Sequence, residues 1–196
     1  MTADKNQASR YKNRILASLP KSEINRLARH LEPMTLKQGQ SLLDGKAIHA
    51  YFLEEGMASI VLSLASGDTI EVGVIGNDGV VGLPVLLGTG SVPGRTFMQI
   101  GGSGFRIKAE LLQEELERNG VLKRTLERHT QGLFVQSAQT AACNRMHTIE
   151  ERLARWLLTC HDRSQADLLL LTHEFLAQML GAPRTTVTLA AGALQK

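Results

Sequence analysis

Residues Leu122 to His147 run without a proline and with one interior glycine, Gly132, the longest uninterrupted helical pattern in the chain. Along it Leu122, Leu126, His129, Leu133, Gln136, Thr140, Cys143 and His147 recur at alternating spacings of four and three, the register of a two-helix seam. The seam from Leu122 to Cys143 is therefore expected to be a dimer interface. It is only half apolar, which suggests marginal packing that shifts readily. A helix half-covered by a β domain of its own chain would produce the same pattern.

The residues before this helix change texture twice. Ile15, Leu16, Leu19, Ile24, Leu27 and Leu31 have near-helical spacing broken at Pro20, which predicts two short helices. From Pro33 to Lys108 short apolar runs alternate with clusters such as Lys37-Gln38-Gly39-Gln40 and Gly76-Asn77-Asp78-Gly79, the texture of an antiparallel β domain. Met57–Ala65 and Thr69–Ile75 are expected to form a hairpin about Ser66-Gly67-Asp68, and Arg95–Ile100 to face Phe105–Lys108 across Gly101-Gly102-Ser103-Gly104. Evenly spaced strands of this kind favour a closed roll. Three parts follow: N-terminal helices and β-roll over 1–120, the long helix over 121–147, and a helical C-terminal domain over 148–196.

Composition narrows the function classes. Hydrophobic residues make up 43% and charged residues 21%, an ordinary globular balance. No apolar run reaches the roughly 20 residues that span a bilayer, and the first residues lack the apolar core of a signal peptide; a cytoplasmic protein without a membrane partner is expected. The net charge of +3 leans weakly towards an anionic partner. Cys143 and Cys160 form no CxxC and no four-cysteine set, so no metal centre is expected. Cys143 and His147, at i and i+4, are only two candidate ligands, and His49 is the single histidine of the β region, which removes a metal-dependent enzyme built on such a roll. No Ser/His/Asp set, phosphate loop or paired-carboxylate constellation is present. The chain is not expected to be an enzyme.

The C-terminal stretch is more specific. TIEERLARWLL opens with Thr148 as an N-cap and Glu150 and Glu151 in the first turn, where they complement the helix dipole. In LLLLTHEFLAQMLGAPRTTVTLAAGALQK, Thr172 caps a helix whose buried face is Phe175, Leu176, Met179 and Leu180. Ala177 is small where a second helix would cross. Gly181 suits a left-handed helix end, and Pro183 suits the start of the next helix. Two helices joined by a short glycine-containing turn form a helix-turn-helix, or a plain αα-hairpin. In the second helix Arg184, Thr185 and Thr188 share an outward side, while Val187 and Leu194 face in. An arginine near a helix start can bridge O6 and N7 of guanine, and threonine can reach a phosphate or a thymine methyl.

This order of parts resembles the Crp/Fnr family of bacterial transcription regulators, over nearly the whole chain from about Tyr11. The similarity is most specific in YFLEEGMASI (Tyr51–Ile60), GNDGVVGLPVLLG (Gly76–Gly88), EERLARWLL (Glu150–Leu158) and LTHEFLAQMLG (Leu171–Gly181). It implies an α+β fold: a double-stranded β-helix of the cyclic-nucleotide-binding jelly-roll type, a long dimerisation helix and a C-terminal winged helix-turn-helix. It implies double-stranded DNA, a palindromic operator and RNA polymerase as partners of a homodimer. In the helix at 183–196, Arg184 matches the family's base-reading arginine, and Thr172 and Thr186 match positions that touch phosphate. Thr185 and Leu189 stand where glutamate and a second arginine are common, which implies a different operator.

The implied effector site comprises Gly79, Val80, Gly82, Leu83, Arg95 and Thr96. Arg95 and Thr96 match the phosphate-holding pair, but Val80 occupies the position of the ribose-binding glutamate, so a cyclic nucleotide is not expected. No cysteine precedes Cys143, which excludes the cysteine-ligated iron–sulfur sensor of the family; the effector stays unknown. The family continues into a β-hairpin wing, whereas this sequence ends at Lys196. The expected domain is a helix-turn-helix without its wing, leaving Val187, Ala190 and Leu194 short of a covering layer. A different expectation follows from the same feature: a dimeric sensor or interaction protein that no longer binds DNA specifically.

Overall fold

A computed structural model describes residues 10–65, 69–164 and 168–195; the expected turn at Ser66-Gly67-Asp68 lies outside them. Two short helices, α1 (Arg14–Ala17) and α2 (Lys21–Leu27), lead into eight strands. These are β1 (Glu32–Leu36), β2 (Ser41–Lys46), β3 (His49–Leu53), β4 (Met57–Ser63), β5 (Thr69–Ile75), β6 (Val80–Val81), β7 (Ser91–Ile100) and β8 (Gly102–Lys108), with the single-turn helix α3 (Leu83–Leu86) between β6 and β7. They form two antiparallel four-stranded sheets, ordered β1-β8-β3-β6 and β2-β7-β4-β5. Inner residues Ala50, Phe52, Ala58, Met98 and Ile107 are buried together between the sheets, as expected of strands whose side chains alternate between faces.

The β4–β5 hairpin forms as expected, with Ser59 opposite Val74 and Ser63 opposite Thr69. The second expected hairpin does not. β7 pairs with β2 and β4, whereas β8 pairs with β1 and β3, so the chain changes sheets at Gly101. The glycine cluster serves close backbone approach rather than a hairpin turn: a Cβ on Gly102 would lie 2.1 Å from the Glu55 carbonyl oxygen, and one on Gly104 2.5 Å from that of Phe52.

Asn13 pins α1 to the roll. Its Oδ1 accepts from the Ile15 and Leu16 amides, capping the helix, while Nδ2 donates to the carbonyls of Leu53 (3.0 Å) and Gly79 (2.9 Å). After α4 (Ala109–Glu117) comes α5 (Val121–Met146). Glu23 of α2 supplies its N-terminal cap, accepting from the amides of Val121 (2.9 Å) and Leu122 (2.8 Å). That carboxylate satisfies two orphan donors and sits at the positive end of the helix dipole.

The expected dimer seam requires correction. Leu122, Leu126 and Leu133 are buried in the roll's own core. The ring Nε2 of His129 lies 3.3 Å from the Val80 nitrogen and 3.1 Å from its carbonyl oxygen. Gln136 Oε1 accepts from the Val74 amide at 2.8 Å. Cys143 is buried and Thr140 half-buried on the same side. The 3.5-residue repeat thus records a helix lying on its own β-roll. The opposite face, with Phe134 (74% exposed), Val135 (57%), Ala138, Ala142 and Met146, is open.

Candidate nucleic-acid interface

Three helices follow: α6 (Ile149–Ser164), α7 (His173–Leu180) and α8 (Arg184–Leu194). Thr148 and Glu151 open α6 reciprocally, the Thr148 amide donating to Glu151 Oε2 at 2.8 Å and the Glu151 amide to Thr148 Oγ1 at 3.4 Å, a capping box. Leu153, Trp156 and Cys160 of α6, Leu176, Ala177, Met179 and Leu180 of α7, and Val187 and Ala190 of α8 form a second core. Met57, Val61, Val74 and Phe97 complete it from the outer face of the β2-β7-β4-β5 sheet. The helical domain is seated on the roll.

Local chemistry fixes the turn between α7 and α8. Thr172 Oγ1 accepts from the Phe175 amide at 3.1 Å. Gly181 has φ 58°, the left-handed cap anticipated from its identity, and Pro183 immediately precedes α8. The Arg152 guanidinium donates to the Leu180 carbonyl, one of the terminal α7 acceptors that the helix itself leaves unpaired. Sequence reading missed this arginine because its partner lies in another helix.

Arg184, Thr185 and Thr188 are exposed on α8, as is Thr172 at the start of α7; Thr186 is half-buried. The Arg184 Nε is 3.9 Å from Glu174 Oε2, with both side chains well exposed, a pairing too loose and solvated to immobilise the guanidinium. His173 Nδ1 lies 3.0 Å from Thr188 Oγ1, adding an exposed imidazole that pattern reading overlooked. Leu189 is 74% exposed. Val187 and Ala190 are fully buried against α6 and α7, so they need no further layer; Leu194, expected to face inward, is 46% exposed. The end of α8, from Gly192 to Leu194, lies beyond the reach of that core.

The positions expected to hold an effector are dispersed. Val80 is fully buried and pairs with Phe52, Gly82 precedes α3, and Gly79 lies under the His129 ring, where a Cβ would meet Cε1 at 2.3 Å. Leu83 is the half-buried first residue of α3. Arg95 and Thr96 point to opposite faces of β7. Thr96 is buried and shares its face with Met98, while the exposed Arg95 stacks over the outer-face Phe97, 5.0 Å from the ring centroid. The pair therefore does not form a phosphate clamp, and the expectation is corrected by strand alternation itself.

A buried polar chain links roll and helical domain. Trp156 Nε1 donates to Glu71 Oε1 at 2.7 Å, Ser59 Oγ lies 2.6 Å from Glu71 Oε2 and also contacts Gln99 Oε1, and Gln99 Nε2 approaches Cys160 Sγ at 3.7 Å. Burial pushes the Glu71 carboxyl up to about 7, against the Ser59 and Trp156 hydrogen bonds and the nearby Arg163 and Arg155 charges. Burial likewise raises the Cys160 thiol, which stays protonated. Among the described residues no group of three or more His, Cys, Asp or Glu side chains could hold a metal, and no helix is long and apolar enough to cross a membrane.

Residues 151–196 match the Crp-like helix-turn-helix domain family. No curated protein sequence matches the chain. Among solved structures, the c-di-GMP-responsive global regulator CLP of Xanthomonas campestris superposes with a TM-score of 0.72 at 15% identity, covering 90% of this chain and 92% of CLP. FixK2 of Bradyrhizobium japonicum gives 0.72 at 18% identity over 84% of each chain. TTHA1359, a Crp/Fnr-family transcriptional regulator of Thermus thermophilus, gives 0.63 at 19%, covering 84% of this chain and 86% of that one. The jelly roll, long helix and helix-turn-helix recur together in the same order.

Proposed function

We propose that this chain, a Crp/Fnr-family regulator by its fold and its Crp-like helix-turn-helix domain, binds double-stranded DNA as a homodimer and regulates transcription in the cytoplasm. The observation that carries the reading is the exposed side of α8: Arg184, Thr185 and Thr188 face solvent on a helix whose opposite side is locked into a core. Arg184 reads a guanine edge, Thr185 and Thr188 contact neighbouring bases, and Thr172 and Thr186 hold phosphates. The outward face of α5, centred on Val135, Ala138 and Ala142, pairs with a second copy. Two recognition helices about 34 Å apart would then read an inverted repeat in successive major grooves.

Selection of bound duplexes from a random DNA pool tests this reading. An enriched inverted repeat is expected, bound with a steep inverse dependence on salt, and Arg184→Ala should weaken it by about 1–3 kcal/mol and relax the choice at one base of each half-site. The exposed Leu189 favours the rival reading, a protein-interaction surface, because an apolar side chain gives a recognition helix little polar readout. A pool that shows no enrichment would support that rival.

A further inference from the structure

The polar half of the α5 pattern has a structural use that DNA binding does not require. Gln136 and Thr140 of α5 face Arg155, Thr159 and Arg163 of α6 across a cleft of about 240 Å³ floored by Glu71 and the β5 backbone. A smaller extension of about 40 Å³ shares Glu71, Thr140 and Arg155 and reaches Arg152. Spacings of three and four place Arg152, Arg155, Thr159 and Arg163 along one stripe of α6. We propose that this junction cleft binds a small phosphoryl-bearing anion and thereby ties the DNA-binding domain to the β-roll.

The guanidinium inventory supports an anion. Among the described residues Arg155 makes no side-chain hydrogen bond or ion pair. The Nε atoms of Arg152 and Arg163 are buried without a partner, although each unmade hydrogen bond of a buried charged group is costly. Among the described residues Arg163 has only a long contact with Asp78, 3.5 Å from Nη2 to Oδ2. Gln136 spends its carbonyl on the Val74 amide, leaving its amide hydrogens as donors. Planar forks of this kind match phosphoryl oxygens two at a time. Among the described residues Glu71 is the one acidic group lining the cleft. The volume falls below the roughly 300–1,000 Å³ of pockets for drug-sized ligands, which favours a compact anion over a whole nucleotide.

Trp156 is the only tryptophan of the chain and lines this cleft, so its fluorescence reports occupancy. The full-length protein is titrated at pH 6 and constant ionic strength with inorganic pyrophosphate, inorganic phosphate or chloride. A saturable change with pyrophosphate, a weaker one with phosphate and none with chloride are expected. Arg155→Gln should raise the pyrophosphate Kd at least tenfold, and Thr140→Val, nearly isosteric, severalfold. Arg128→Gln, exposed elsewhere on α5, should leave it unchanged. Melting curves establish that each variant is folded. A non-saturable drift, or wild-type affinity in both folded cleft variants, overturns the proposal. The consequence for regulation rests on the DNA-binding reading, and Arg184→Ala separates the two: it should lose operator affinity and keep pyrophosphate binding.

Discussion

Glu71 shows how one buried residue sets the terms of a domain junction. Ser59 has a single hydroxyl hydrogen but faces both Glu71 Oε2 and Gln99 Oε1. A protonated Glu71 resolves the conflict by donating to Ser59, which then donates to Gln99, while Trp156 donates to the other carboxyl oxygen. The folded-state value of about 7 lies above the ordinary 4.5. This residue's contribution to stability is therefore complete below about pH 4.5 and is lost as pH rises through 7. The difference amounts to about 3 kcal/mol at most. Glu71→Gln keeps an acceptor for Trp156 and a donor for Ser59. It should match the wild type in urea denaturation at pH 4.5 and exceed it at pH 8, flattening the pH profile; parallel profiles for the two proteins would show that Glu71 ionises in the fold at the same pH as in the unfolded chain. Leu153, fully buried beside Trp156, makes a plainer demand: Leu153→Ala should cost about 2–5 kcal/mol in the same denaturation assay.

Elements were legible from sequence where the signal is local. Thr172, Gly181 and Pro183 mark the turn between α7 and α8 because caps and turns are built from neighbouring residues. The sheet change at Gly101 was not legible. A glycine run that permits close approach to Glu55 and Phe52 looks the same in sequence as one that makes a hairpin. The α5 pattern was readable but ambiguous, since a seam against a partner and a face against the chain's own roll share one period. Its outcome turned on long-range contacts at Val74 and Val80. The effector positions failed for a related reason: a motif fixes order along the strand, while alternation decides that Arg95 and Thr96 part company. Glu23, far away in sequence, also escaped notice, yet it caps α5. Glu23→Ala should cost about 0.5–2 kcal/mol and speed hydrogen exchange at the Val121 and Leu122 amides, without changing protection around Leu133.

At the scale of the whole molecule, the two cores share the β2-β7-β4-β5 sheet: its inner face belongs to the roll and its outer face to the helical domain. One long helix then spans both, its inner side committed to the roll, the cleft and Cys143, its outer side exposed. This division makes the proposed dimer contact separable from folding. Val135→Glu places a charge on the exposed side, away from either core, and facing its symmetry mate it would set like charges against each other across the dimer axis. The variant should melt like the wild type yet sediment as a monomer at concentrations where the wild type is a dimer. Because a dimer on an inverted repeat gains its second half-site at high effective concentration, affinity for the full repeat should fall by about 10²–10⁴-fold, while affinity for an isolated half-site barely changes. Equal losses on both duplexes would mean that the substitution had damaged the helix-turn-helix domain instead. A dimer that persists would place the interface elsewhere than the outer face of α5.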